Sequence, residues 1–377
     1  MLRNRLVLLT VLLVASLLLS CCTGQPAASP ATPSETLPAP AVALTPTTPV
    51  VVPATAVPAA LLRYKVGLVT GGGTVDDGSL NQGAYQGLLR AAEEFDIDFN
   101  VIETVQPGDF ERNIATFVNA GYDLVVTVGP LLGEMTQAMA ERYPATTFVA
   151  IDATFEDYPS NLVGLVFGED QMGFLAGALA GLVSERKTVG IVAGMDSPAT
   201  RRLRDSYENG VGHVCPECVV LTLTLDNPTD PARGRTAALS QIGEGADVIF
   251  GVGGPTGSGA VLGAAQQGVW VIGVDQDEFF TTFRGGAADG SDKIVSSAIK
   301  RADEAVYQAI KGAVMGNFRN GTALFDAAND GVGLADFHLA TDAVPADVQA
   351  KVAEVYQLLA NGQLNTGVDP MTGDQLQ

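Results

Sequence analysis

Histidine is nearly missing from this 377-residue chain: there are two, alongside four cysteines, one tryptophan and 21 basic residues against 42 acidic ones. Two histidines leave little material for a His-rich metal site. A formal net charge of −21 argues against a nucleic-acid binder, whose phosphate contacts need a basic face. It argues equally against docking on anionic lipid by charge. Aromatics at 6% do not suggest a stacking platform. What the chain has instead is glycine, 43 residues, within a 47% hydrophobic composition, which suits a close-packed, loop-rich α/β chain. Its length exceeds the roughly 250–300 residues at which one core splits, so two lobes are expected.

The N-terminus reads as an export signal. Arg3 and Arg5 precede a largely apolar stretch from Leu6 to Leu19 that ends at Ser20-Cys21. This stretch is shorter than the ~20 residues a spanning helix needs. Leu18-Leu19-Ser20-Cys21 resembles the bacterial lipobox, which predicts cleavage after residue 20 and lipidation of Cys21, an acyl (palmitate-type) anchor on the outer side of the cell membrane. From Thr23 to Ala60 there are nine prolines and a single charged residue, Glu35. Such a stretch cannot bury a core and favours extended polyproline-II conformers, so it is expected to act as a tether. The other two cysteines form Cys215-Pro216-Glu217-Cys218. In an exported protein this spacing reads as a local disulfide rather than a zinc half-site, because no second such pair exists.

From Lys65 onward, short Val/Ile/Leu runs alternate with helical periodicity. Strands are predicted at Lys65–Thr70, Asn100–Thr104, Leu124–Val128, Phe148–Asp152 and Leu162–Phe167, and the pattern restarts at Val189–Ala193, Val219–Leu225, Val248–Val252 and Val271–Val274. Helices are predicted at Ser79–Phe95, Phe110–Ala120, Gly133–Arg142 and, near the C-terminus, Val348–Leu359. Near-continuous apolar strands are buried on both faces, hence parallel sheets under helices. Two successive series of this kind make two Rossmann-like lobes joined by a hinge. The expected division is a signal at 1–20, a tether at 21–62, a first lobe from 63–166 with 275–316, and a second from 167–274 with 317–377.

Ligands of such sheets bind beyond the carboxyl ends of the strands, so the residues there are the candidates. The first strand runs into Gly71-Gly-Gly-Thr-Val-Asp76-Asp77-Gly-Ser-Leu-Asn81-Gln, either a tight turn with a helix cap or a loop that places Asp76 and Asn81 in a cleft. It is neither a Walker loop nor a clean dinucleotide fingerprint. Asp152 ends one predicted strand, and Asp275 and Asp277 end another. Each fits an Asx turn as well as it fits an acceptor for vicinal hydroxyls, but several facing one cleft favour a ligand. A second glycine-rich turn carries Gly254, Thr256 and Gly257. Lys300 reads as lying at a helix start, where a cation gains nothing from the dipole, so it is expected to pair with Asp277 or with a ligand oxygen.

Taken together these runs resemble the basic membrane protein family of bacterial lipoproteins, the PnrA-like, purine-nucleoside-type substrate-binding proteins of ABC importers. The matching stretches, in order, are Val75-Asp-Asp-Gly-Ser-Leu-Asn-Gln, Ala120-Gly-Tyr-Asp-Leu, Ala150-Ile-Asp, Phe174-Leu-Ala-Gly, Gly194-Met-Asp-Ser-Pro, Gly253-Gly-Pro-Thr-Gly, Gly273-Val-Asp-Gln-Asp and Lys300-Arg-Ala-Asp-Glu-Ala-Val-Tyr, spanning about 64–335. The resemblance implies the type I periplasmic-binding-protein fold, ribose contacts from Asp275 and Lys300, and a pocket lined by Asp152, Asn81 and the Gly253–Gly257 loop. The sequence departs where the family usually has Asp after the first strand, here Gly71, and a base-stacking Phe, here Leu80. Loss of the ring forfeits ~0.5–1.5 kcal/mol of aromatic pairing, so ribose recognition is better supported than purine recognition. The resulting expectation is a monomeric, tethered solute-binding lipoprotein that takes a nucleoside-like solute and meets an ABC permease, with no cofactor, metal or catalytic residue. The rivals are a metal-assisted nucleosidase using Asp76, Asp77 and Asp275, and a ligand sensor of the same fold.

Overall fold

In the computed structural model, residues 63–376 are described. The expected signal, the lipidation site Cys21 and the tether up to residue 62 lie outside the described residues.

Two six-stranded sheets carry the chain. The first contains β1 (Lys65–Val69), β2 (Asp98–Ile102), β3 (Leu124–Val128), β4 (Thr147–Ile151), β5 (Leu162–Phe167) and β11 (Gly321–Phe325), in the order β11-β5-β4-β3-β1-β2. All its pairings are parallel. The second contains β6 (Thr188–Ala193), β7 (Val219–Thr224), β8 (Val248–Val252), β9 (Trp270–Asp275), β10 (Ile294–Lys300) and β12 (Val332–Leu334), in the order β12-β10-β9-β8-β6-β7. Only β12 runs antiparallel. The central strands LVVTV of β3 and VIFGV of β8 are buried at every residue, as strands sandwiched between helices must be. The edge strands β2, β7 and β11 mix exposed and covered positions.

The chain crosses between the sheets three times. After β5 it enters α4 (Glu169–Val183), which packs on α5 (Pro198–Val214) over the second sheet. After β10 it enters α8 (Ala302–Val314), which returns to pack on α1 (Leu80–Phe95). After β11 it comes back to β12. This corrects the expected division. Residues 275–300 stay with the second sheet, because β10 pairs in parallel with β9. Residues 321–325 belong to the first, beside β5. The predicted first-lobe segment therefore holds only around α8.

Glycine sets the closest helix packing. Gly173, Gly177 and Gly181 lie along α4, facing α5. A Cβ on Gly177 would sit 2.1 Å from the Tyr207 carbonyl oxygen, and one on Gly210 would sit 2.1 Å from that of Phe174. Gly212, on the same α5, has nothing within 4 Å of an added Cβ. Gly177→Ala is therefore expected to destabilise the protein by about 1–3 kcal/mol through overpacking, while Gly212→Ala should stabilise it by about 0.5–1 kcal/mol by relieving the entropy cost of a helical glycine. Urea denaturation of the two variants separates the effects.

Candidate functional site

The carboxyl ends of the two sheets supply the site. Asp152 follows β4 and Asp275 ends β9; these are the fourth strands of their two series and occupy the same place in the two strand orders. Both residues are left-handed, with φ 57° and 66°. Positive φ is uncommon outside glycine and best tolerated by Asp and Asn. Each turn redirects its carboxylate toward one cation. Lys300 Nζ, at the end of β10, lies 3.0 Å from Asp152 Oδ2, 2.7 Å from Glu169 Oε1 and 3.9 Å from Asp275 Oδ1. Glu169 is the first residue of α4 and also accepts a 2.7 Å hydrogen bond from Arg202 Nε on α5. The Ser79 hydroxyl, just before α1, reaches Asp275 Oδ2 at 3.5 Å. Residues from both sheets and from the crossover helix thus meet at one point.

Lys300 and Glu169 have side chains only 6% and 3% exposed, whereas Asp152 and Asp275 keep 16% and 22%. Burial pushes the Lys300 ammonium toward neutrality, but the three carboxylates outweigh it and raise its pKa well above the usual lysine range. Burial likewise works against the Glu169 carboxylate, yet Lys300 and Arg202 together hold it below its ordinary value. Asp152 goes the other way: desolvation exceeds the pull of Lys300 and raises it to about 6. Asp275 is raised too, by burial first. Two cations and three carboxylates leave the cluster short of positive charge. The partly open oxygens of Asp152 and Asp275 are therefore acceptors suited to the hydroxyls of a solute.

Two cavities flank this cluster, of about 650 and 530 Å³, within the range of small-molecule sites. The first is lined by Asp152, Phe155, Glu169, Ser197, Arg202 and Met371 among others. The second is lined by Asp76, Gln82, Gly254, Ser258, Asp275 and Phe280 among others.

Of the predicted site residues, Asp152, Asp275 and Lys300 converge, and Asp76 and Gly254 line the second cavity. The other four line neither cavity. Asn81 is buried and donates to the Gly72 carbonyl at 2.9 Å, fixing the first loop. The buried Thr256 hydroxyl donates to Asn227 O at 2.6 Å and accepts from Asp230 N at 2.8 Å. Gly257 is pressed on β8, where a Cβ would meet Val252 backbone atoms at 2.6 Å. Asp277 does not pair with Lys300; its Oδ2 meets His338 Nε2 at 2.7 Å and its Oδ1 accepts from Phe279 N. Lys300 closes a strand rather than opening a helix, and its partners are Asp152 and Glu169. The departure at Gly71 has a steric cause, since a Cβ there would lie 2.2 Å from the Val128 carbonyl oxygen.

Sequence reasoning missed Glu169 and Arg202. An acidic pair, Glu169-Asp170, in the first turn of a helix looks like an ordinary complement to the dipole; only burial reveals the ion pairs. Cys215 and Cys218 are joined as a disulfide, and the nearby His213 ring lies against Phe174. Among the described residues no group of three or more His, Cys, Asp or Glu is placed to hold a metal ion, and no helix is long and apolar enough to cross a membrane. Of the nucleosidase triad, Asp77 accepts from the backbone of Ser79 and Gln82 and Asp76 from the Thr74 hydroxyl.

Residues 64–358 match the sequence model of the Bmp family, described as ABC transporter substrate-binding protein PnrA-like. The chain is 30% identical over 322 residues to the CD4+ T-cell-stimulating antigen of Listeria monocytogenes, covering 81% of this chain and 89% of that protein. It is 27% identical over 314 residues to the ABC transporter nucleoside-binding protein BmpA of Lactococcus lactis, covering 80% and 88%. A crystal structure of an ABC transporter solute-binding protein from Aeropyrum pernix has a TM-score of 0.69 at 26% identity, over 80% of this chain and 92% of that one. These likenesses answer the enzyme reading, since the family binds rather than converts its substrate. With two mainly parallel α/β lobes of the type I binding-protein kind, and with a small molecule and a permease implied as partners, the chain belongs to the PnrA-like Bmp family of ABC-transporter substrate-binding proteins.

Proposed function

We propose that this protein binds a nucleoside or a related ribose-containing molecule between its lobes and delivers it to its permease as a monomer held at the outer face of the cell membrane by lipid on Cys21. The observation that carries the reading is the meeting of Asp152 and Asp275, from different sheets, on one buried lysine. Vicinal hydroxyls are paired donors that carboxylates accept from, and a neutral sugar adds no charge to an acidic crevice. The nucleoside-binding relative named BmpA supports the choice among sugars. The lipobox-like Leu18-Leu19-Ser20-Cys21 and the proline-rich stretch after it support the anchor and its reach, on the order of 100 Å at ~3.1 Å per extended residue.

Isothermal titration with inosine tests the sugar contact. Asp275→Ala should weaken binding by about 1.5–3 kcal/mol, the range for a hydrogen bond to a charged group; unchanged affinity removes Asp275 from the site. The pH profile tests Asp152. Its carboxyl, raised to about 6, is protonated below that value and loses acceptor strength. A solute bound to the ionised form releases a proton on binding, so affinity should climb as pH rises through about 6 and level off above 7. Asp152→Asn should flatten that climb, and an unaltered climb in the variant would assign it to another group.

A further inference from the structure

The second cavity carries an aromatic ring that packing does not account for. Phe280, five residues beyond Asp275, is 62% exposed and lies on the cavity wall with Asp275, Ser258 and Gln82. An exposed phenyl ring forgoes the ~1.5–3 kcal/mol that its burial would contribute, yet this one is braced from behind. Phe279 meets it edge-on at 5.2 Å and 85°, and His338 edge-on at 5.2 Å and 84°. His338 in turn stacks flat on Phe279 at 4.1 Å, with its Nε2 tied to Asp277 Oδ2. The ring is thus held in place while most of it remains uncovered at the edge of the crevice.

Among the described residues no other aromatic is placed in this way around the cluster. The first loop offers none, because Leu80 is packed against the core. Phe155, in the first cavity, is half-buried, lies edge-on to Tyr158 at 5.2 Å and packs into the core of the first lobe. Phe167, beneath Lys300, is 2% exposed. A planar ring stacking on an aromatic face gains dispersion and quadrupole energy over any flat heterocycle. The same cavity is lined by Asp76, Asp77 and the Gln82 amide, whose oxygens are acceptors suited to the N–H donors of a heterocycle.

We infer that Phe280 is the stacking face for the planar heteroaromatic ring of the solute, which lies in the second cavity while the sugar end engages Asp275, Asp152 and Lys300. This rests on the sugar recognition proposed above and goes beyond it by assigning the ring's side of the crevice and the residue that selects it. Phe280 is exposed, so its replacement leaves the fold intact.

Calorimetric titration of the whole protein with inosine and with D-ribose provides the test. Phe280→Leu should weaken inosine binding about ten-fold and leave ribose affinity unchanged. Phe280→Tyr should restore the inosine affinity. Inosine bound by Phe280→Leu as tightly as by the wild type would overturn the assignment, as would an equal loss for both probes. Wild-type protein that binds ribose but not inosine would remove the ring subsite and leave the sugar contacts standing. Wild-type protein that binds neither would end both readings.

Discussion

A single buried ammonium organises this molecule. Lys300 leaves the second sheet at the end of β10 and takes carboxylates from the first lobe, the crossover helix and its own sheet. Removing a cation from water costs several kcal/mol, and three carboxylates brought together without one would repel each other. Neither side of the arrangement is stable alone. The sheets must therefore come together with their carboxyl ends facing, and Arg202 behind Glu169 adds the second cation. Because the negative charge still exceeds the positive, the most accessible oxygens keep unused acceptor capacity, on which the proposed sugar recognition rests.

The two lobes are variations on one plan. Strands β1 to β5 pair in the same sequence as β6 to β10, and Asp152 and Asp275 turn out of equivalent strands with the same left-handed backbone. Backbone strain of order 1–3 kcal/mol at each such residue persists only where the surroundings fix it, and here it brings carboxylates from both sheets to one lysine. The three crossings after β5, β10 and β11 are the only connections between the sheets in the described residues. Such narrow connections suit a hinge, around which lobes close on a ligand. Two of them begin directly at Glu169 and just after Lys300, so the charge cluster sits at the pivot.

Much of this was legible in the sequence, for physical reasons that also explain the rest. Strands buried on both faces are continuous apolar runs, so β3, β5 and β8 could be read to the residue. Strands without such a run could not. In β10 the run Ser296-Ser297 breaks the apolar pattern, and only the structure shows Ser296 donating to Ala335 O and Ser297 accepting from Glu278 N. In β11 the alternation of an edge strand is too short to stand out. Asp152 and Asp275 were visible because each ends a predicted buried strand, and several carboxylates facing one cleft favour a ligand over an Asx turn. Asn81, Thr256 and Asp277 looked equivalent to them, yet each is satisfied by a neighbouring backbone group or by His338, a partner that sequence spacing does not reveal. Glu169 and Arg202 were invisible for the converse reason, since their importance comes from burial and from pairing 33 residues apart.

A solute that touches both lobes at the Lys300 cluster should draw them together. Small-angle scattering of the protein with and without saturating inosine measures this most directly. A smaller radius of gyration in the liganded sample is the predicted result. An unchanged radius, with calorimetry showing the site filled, would mean that the solute does not bridge the lobes and would contradict the account.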